Sequence, residues 1–270
     1  MDYYHIDAFT HHLFGGNPAG VVPLATWLPD AQMQRIAAEN NLSETAFFAP
    51  EGDHYRIRWF TPTVEVDLCG HATLASAWVL FNALGCDSDS VQFDSASGRL
   101  TVHRDGDWLT LDFPARPPTP VARTASVDTV LKALGVTEPL YVGAARDLVV
   151  MLPDEAAVRA LQPDFALLGT VRDWFAVTVT APGAEADTDF VCRFFAPAQG
   201  LDEDPVTGSA FCTLIPLWAA RLGRTALRAR QVSARGGTLR CELLPDNRSP
   251  ERVHISGQAV CYLHGRLNID

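Results

Sequence analysis

Residues 67–84, DLCGHATLASAWVLFNAL, and residues 204–217, DPVTGSAFCTLIPL, are two versions of one pattern: a tight glycine turn opening into a helix apolar on nearly all sides. Such a helix has no polar face to turn toward water, so each is expected at the centre of a domain. Polar residues gather only in the first turn: Cys69 and His71 in one copy, Thr207 and Ser209 in the other. A helix N-terminus offers unpaired N–H groups and roughly half a positive charge, which suits a carboxylate. Two such starts would hold a small anionic substrate.

The likeness extends outward. Arg58-Trp59-Phe60-Thr61-Pro62 precedes the first turn, and Arg193-Phe194-Phe195-Ala196-Pro197 precedes the second. Gly208 and Ser233 stand 138 positions after Gly70 and Ser95, and each Ser-Ala pair leads through Gly98 or Gly236 into a strand-like run. Repeats of about 20–50 residues would indicate a solenoid; one duplication of about 130 residues indicates two like domains. The proline-rich run PARPPTP at 114–120 is the natural linker, dividing the chain into halves 1–116 and 117–270.

With 47% hydrophobic and 20% charged residues, the chain can build real cores. A net charge of −11 argues against nucleic acid and against an anionic membrane surface, both of which need clustered Lys and Arg. The start, MDYYHIDAF, shows no secretory signal, so a cytoplasmic location is expected. The six cysteines form no CxxC pair and no zinc-like spacing with histidine. They are read as reduced thiols, five of them packing residues, with only Cys69 placed where chemistry could happen. No HExxH, no second His at ligand spacing to His71 and no GxSxG elbow occur, so neither metal nor cofactor is expected.

Taken in order, residues 5–9 read as a strand, GGNPAG at 15–20 as a turn and 21–24 as a second strand. GGNPAG lacks the Lys-Ser/Thr of a phosphate loop; Asn17 either donates its amide into a cleft or shapes the turn. Pro29-Asp30 caps a helix over 31–39, and 42–50 forms a strand carrying Glu44 near its start. Aligning Ala49-Pro50 with Ala181-Pro182 sets Glu44 opposite Ala176, so the duplication supplies no twin carboxylate. Further strands fall at 91–93, 100–103 and 108–113. The second half opens with a helix over 127–134, capped by Ser126 and closed by Gly135. It continues with strands at 148–152, 175–180, 190–195, 239–244, 252–255 and 259–266, and a helix start at Pro153-Asp154. Many strands with one central helix per half make an α+β fold. Ahead of the second central helix, Asp202 and Glu203 read as favourable helix electrostatics. Asp204, fixed by Pro205, is aimed at the cleft to pair with a substrate ammonium or to fix the His71 tautomer.

FGGNPAGVV, NLSETAF, FTPTVEVDLCGHAT and DEDPVTGSA resemble the signature blocks of PhzF-like proteins, related to the phenazine-biosynthesis isomerase and within the wider diaminopimelate epimerase and proline racemase fold. The resemblance implies two similar halves, each a curled, mostly antiparallel sheet around a central buried helix, with the site between them, and a homodimer. It implies cofactor-free isomerisation, with Glu44 of the SET block moving a proton and His71, Asp204 and Ser209 at the other matching positions. In the epimerases of that fold a cysteine precedes the glycine of each helix turn, one acting as base and one as acid. Here the first is Cys69 and the second position is Thr207. A Thr hydroxyl is too weak an acid to exchange protons as a thiol does, which leaves Glu44 as the single shuttle. The substrate expected is a small amino or hydroxy carboxylic acid, its carboxylate held by N–H groups at Gly70 and His71 or at Gly208 and Ser209. Burial should raise the Glu44 pKa toward neutrality. Two alternatives stay open: a Cys69-dependent racemase or epimerase, and a metabolite-binding protein without chemistry.

Overall fold

The computed structural model describes residues 1–244 and 251–269, which form two compact units, Met1–Phe113 with His254–Asp270, and Pro114–Val253. The first unit contains β1 (Asp2–Ala8), β2 (Asn17–Pro23), α1 (Asp30–Asn40), β3 (Glu44–Glu51), β4 (His54–Phe60), β5 (Glu65–Val66) and α2 (Gly70–Trp78). It continues with β6 (Ser90–Ser95), β7 (Gly98–Asp105) and β8 (Trp108–Pro114). The second contains β9 (Thr119–Pro120), α3 (Ala125–Leu134), β10 (Tyr141–Ala144), β11 (Leu148–Met151), α4 (Glu155–Ala160), α5 (Phe165–Leu168), β12 (Val177–Pro182) and β13 (Phe190–Ala196). Then come β14 (Leu201–Asp204), α6 (Gly208–Leu222), β15 (Ala226–Gln231) and β16 (Gly237–Leu244). Finally β17 (Arg252–Gly257) leads into β18 (Ala259–Arg266).

The duplication is visible in the hydrogen bonding. In the first unit β1–β2 is antiparallel, β2–β3 parallel, β3–β4 antiparallel, β4–β6 parallel and β6–β7 antiparallel. The second unit repeats the series in β10–β11, β11–β12, β12–β13, β13–β15 and β15–β16. Each unit is an α+β layer with one central helix. In α2 every residue from His71 to Ala77 is buried, and the helix packs on β1, β2 and β3. Its buried hydroxyls return to the helix backbone: Thr73 Oγ1 donates to the Cys69 carbonyl at 2.6 Å and Ser76 Oγ to that of Ala72 at 2.8 Å. That local bonding lets polar residues sit in an apolar surround. A π-helical turn, Val79–Ala83, carries the chain out of the core. The second central helix, α6, is equally buried and ends at Gly223, whose φ of 67° makes the left-handed cap.

The Arg-x-Phe-x-Pro strings have a structural role. Arg58 on β4 grips Glu65 with two bonds of 2.7 Å, and Arg193 on β13 grips Glu203 with two of 2.8 Å. Each bidentate pair fixes the short segment that leads into a central helix. Glu203 is therefore occupied by Arg193, and it and Asp202 stand ahead of α6, not in its first turn.

Other expectations are corrected too. The second half was drawn to residue 270, but β18 pairs antiparallel with β1 along its whole length, so the chain's end belongs to the first unit. The proline-rich run at 114–120 carries β9, paired with β10. Residues 17–20 are strand, paired with β1; only 9–16 loop out. The loop's last residue must be glycine: Gly16 has φ +62°, and a Cβ there would meet the Ala8 carbonyl oxygen at 2.0 Å. Helix α3 is capped by Thr124, which accepts from the Val127 N–H, and α1 has no side-chain cap because Pro29 holds its cap position, while the Asp30 carboxylate accepts from Arg58 at 2.8 Å. No helix among the described residues is long and apolar enough to cross a membrane.

Candidate active site

Three elements of the first unit bring four of the expected residues together. The parallel β2–β3 ladder sets Ala19 beside Glu44 and Gly20 beside Thr45. A Cβ on Gly20 would lie 2.9 Å from Thr45 Oγ1, so glycine lets the two strands close up beside the acid. The 9–16 loop is held down by the Phe14 N–H, which donates to the buried Asp7 carboxylate at 2.9 Å. That fixes Asn17, fully buried, at the start of β2. Extended backbone at Cys69 (φ −144°) turns abruptly into α2, placing His71 in its first turn.

His71 is the hub. Asn17 Nδ2 lies 3.2 Å from His71 Nδ1, and Glu44 Oε2 lies 3.3 Å from Nε2. An amide nitrogen can only donate, so Nδ1 is the acceptor and the ring proton is assigned to Nε2. The Nε2 side of the ring stands 3.3 Å from Glu44 Oε2, close enough for an electrostatic contact but without the alignment of a hydrogen bond. Burial drives the His71 pKa down to about 3, so the imidazole is neutral at physiological pH. Cys69 Sγ sits 3.5 Å from Nδ1 and 4.0 Å from Nε2. Of the Glu44 side chain 19% is exposed, against 6% for His71, while the Oε2 atom next to His71 is itself buried. The cap of α2 makes no side-chain hydrogen bond to the helix, which leaves its leading N–H groups able to take an outside acceptor. Glu44, Cys69 and His71 also offer one ligand-type atom each within 4.8 Å of one another.

The second unit gathers the rest in two groups. Thr207 caps α6 by position but not by bonding: its hydroxyl donates to Asp204 Oδ2 at 2.5 Å. Gln231 ties this corner together, donating to the Asp204 carbonyl at 2.7 Å and to Thr207 Oγ1 at 3.2 Å while accepting from the Thr207 N–H at 2.9 Å. Ser209 Oγ accepts from Arg146 at 3.0 Å. Arg146 pairs with the buried Asp147 carboxylate through two bonds of 2.9 and 3.0 Å and covers the Phe175 ring at 4.4 Å. Gly208, buried, opens the helix between Thr207 and Ser209.

The His71 ring is thus set by Asn17, one of the two tasks expected of Asp204, whose carboxylate takes the Thr207 hydroxyl. Sequence reasoning missed Gln231, Arg146 and Asp147. For Gln231 the sequence held no signal: in strand register it stands where the first unit has Ser95, each closing its strand opposite a glycine.

A sequence model described as phenazine biosynthesis-like protein matches residues 6–265. The chain belongs to that family. An uncharacterized isomerase of Pseudomonas aeruginosa is 50% identical over 269 residues, covering 100% of this chain and 99% of the relative. Among solved structures, a phenazine biosynthesis protein of the PhzF family from Enterococcus faecalis superposes with a TM-score of 0.92 at 45% identity, covering 99% of each chain. A probable proline racemase from Agrobacterium radiobacter, at 11% identity and a TM-score of 0.62 over 100% of this chain and 93% of its own, shares the fold.

Proposed function

We propose that this phenazine biosynthesis-like protein is an isomerase that moves a proton on a small amino or hydroxy carboxylic acid without a cofactor, Glu44 being the acid/base. The carrying observation is the cluster Asn17–His71–Glu44: a buried amide fixes a neutral imidazole, whose Nε2 stands 3.3 Å from Glu44 Oε2. The isomerase name of the half-identical Pseudomonas relative supports the reaction class.

The ionised Glu44 takes a proton from a substrate carbon, the electron pair left behind delocalises into the substrate, and the resulting carboxylic acid returns the proton at another carbon. Substrate and product have the same oxidation state, so the step balances with one proton and one side chain. His71 holds Glu44 in the reactive orientation and, being neutral, competes for no proton. A substrate carboxylate would sit on the uncapped N–H groups at Gly70 and His71, or at Gly208 and Ser209. Asp204 would meet a substrate ammonium.

A second reading has its own observation: Cys69 Sγ is within 3.5 Å of His71 Nδ1, the arrangement that activates a thiol. Against it, the twin position is Thr207, whose hydroxyl is bonded to Asp204, and no second thiol stands there. The test is to incubate the enzyme in heavy water with small amino and hydroxy acids, unsaturated ones included, and follow carbon-bound hydrogen by NMR. Isomerisation or deuterium uptake that vanishes in Glu44→Gln while binding persists supports the proposal. Binding with no exchange by the unmodified protein defeats it.

A further inference from the structure

We propose that Arg146, together with the Ser209 hydroxyl, anchors the substrate's carboxylate, which assigns that group to the second unit and not to the Gly70–His71 turn of the first. Arg146 stands in the turn between β10 and β11 and is held on three sides. Its Nε and Nη2 donate to the two oxygens of the buried Asp147 carboxylate at 2.9 and 3.0 Å. Nη2 donates a second time, to Ser209 Oγ at 3.0 Å, and the guanidinium lies 4.4 Å over the Phe175 ring. A guanidinium is a planar fork of five N–H donors. Asp147 takes the edge shared by Nε and Nη2, so the Nη2 proton given to Ser209 lies on the other edge, parallel to a proton of Nη1. Neither Nη1 proton has an acceptor among the described residues, and 30% of the side chain is exposed. Ser209 is half-buried; its Oγ accepts from Arg146, and its own O–H is given to no acceptor among the described residues. A ligand oxygen that accepts from Nη1 therefore lands beside Ser209 Oγ and can take both protons.

The surrounding charges favour an anion here over the first unit. Cys212, one turn further along α6, feels Arg116 and Arg146 as cations and Asp147 as an anion, which leaves a net positive field. The Arg116 guanidinium, half-buried, has no hydrogen bond or ion pair among the described residues. In strand register Thr45 faces Phe60 and Val177 faces Phe195, so the twin of Glu44 is Ala176 and the second unit lacks that acid. The first turn of α2 instead carries a neutral His71 3.3 Å from the Glu44 carboxylate, where a second carboxylate would be repelled. The guanidinium and the hydroxyl carry the site; the helix start adds only its partial positive charge.

That the anion is the substrate's carboxylate rests on the reading of the substrate as a small acid; anion binding itself rests on the geometry of the second unit. The probe is acetate, titrated into the full-length protein at constant ionic strength with chloride as the balancing ion. NMR follows the amide signals of Gly208 and Ser209 and the Nε–H signal of Arg146, and saturable shifts of all three are expected. Affinity should fall roughly ten-fold or more when Arg146→Gln is combined with Asp147→Asn, a pair of changes that leaves no buried charge unpaired. Arg146→Lys, which keeps the charge but loses the fork, should fall between, and Arg240→Gln, on an exposed position of β16, should change nothing. Each variant is checked for folding by its amide spectrum. Shifts at Gly70 and His71 in place of Gly208 and Ser209, no saturable shift, or an unchanged affinity in the double variant would overturn the anchor. With an acid that the enzyme isomerises, Arg146→Lys should raise KM and leave kcat nearly unchanged; a lowered kcat at unchanged KM would overturn it too. Acetate bound as expected by a protein that exchanges no carbon-bound hydrogen would uphold the anchor and count against the isomerase.

Discussion

Replacing Asn17 with aspartate changes one atom type and should invert the His71 ring. The native amide donates to Nδ1 across 3.2 Å and so keeps the proton on Nε2, facing Glu44. A carboxylate at position 17 can only accept, so it draws the proton to Nδ1 and leaves the Nε2 lone pair opposite Glu44 Oε2. A lone pair then stands beside the carboxylate in place of an N–H dipole. The Asn17–His71 hydrogen bond contributes about 0.5–1.5 kcal/mol, which at about 1.4 kcal/mol per decade corresponds to roughly 2–12-fold in the tautomer ratio it sets. The direct assay is a long-range proton–nitrogen correlation spectrum of histidine-labelled protein near neutral pH. It reads which ring nitrogen carries the proton, whatever the substrate. The unmodified protein should show Nε2 protonated and Asn17→Asp should show Nδ1 protonated, with Asn17→Ala showing a mixture. A native ring protonated on Nδ1, or one tautomer shared by all three, would refute the reasoning.

Three further outcomes are expected. Burial lowers the folded-state pKa of His71 from 6.5 to about 3, so between those values the unfolded chain holds a proton that the folded one does not. Stability is therefore full above about pH 6.5 and falls as pH drops, by up to about 1.4 kcal/mol per unit. Urea titrations at pH 7 and 5 should show a loss about 2 kcal/mol larger than that of His71→Asn, and parallel losses would contradict the assignment. Gln231→Leu strips partners from the Asp204 carbonyl and the Thr207 N–H together; at about 1–3 kcal/mol per orphaned group the melting point should drop by roughly 5–15 °C, and a drop under about 2 °C would show the network to be dispensable. Arg193→Ala should destabilise more than Arg58→Ala in the same denaturation assay, because the Arg193 side chain is 11% exposed against 21% for Arg58 and also supports the Val158 and Leu161 carbonyls.

Much of the fold could be read because the chain states it twice. An apolar helix behind a glycine turn, at a constant offset, leaves few arrangements for its surroundings. The central helices and most strand positions follow from that and from local periodicity. What could not be read depends on partners distant in sequence. That β18 returns to β1 follows from pairing across the whole chain, which no local pattern encodes. Thr124, not Ser126, caps α3 because either hydroxyl satisfies the rule and backbone geometry chooses. At the site, Glu44 and His71 carried a motif, and Asn17 stood out as an amide among glycines. The bond from Asn17 to His71 was invisible because 54 positions separate them. Arg146 and Asp147 looked like an ordinary charged loop, and only the fold shows Ser209 within reach.

The account stands or falls on which side chain carries the proton, and a head-to-head comparison of Glu44→Gln with Cys69→Ser measures that. Each variant is assayed for solvent-deuterium incorporation into whichever acid the unmodified enzyme isomerises. The account predicts that Glu44→Gln loses roughly 10²–10⁴-fold, the usual contribution of a general acid–base group, while Cys69→Ser keeps a readily measured rate. A dead Cys69→Ser beside an active Glu44→Gln would contradict it.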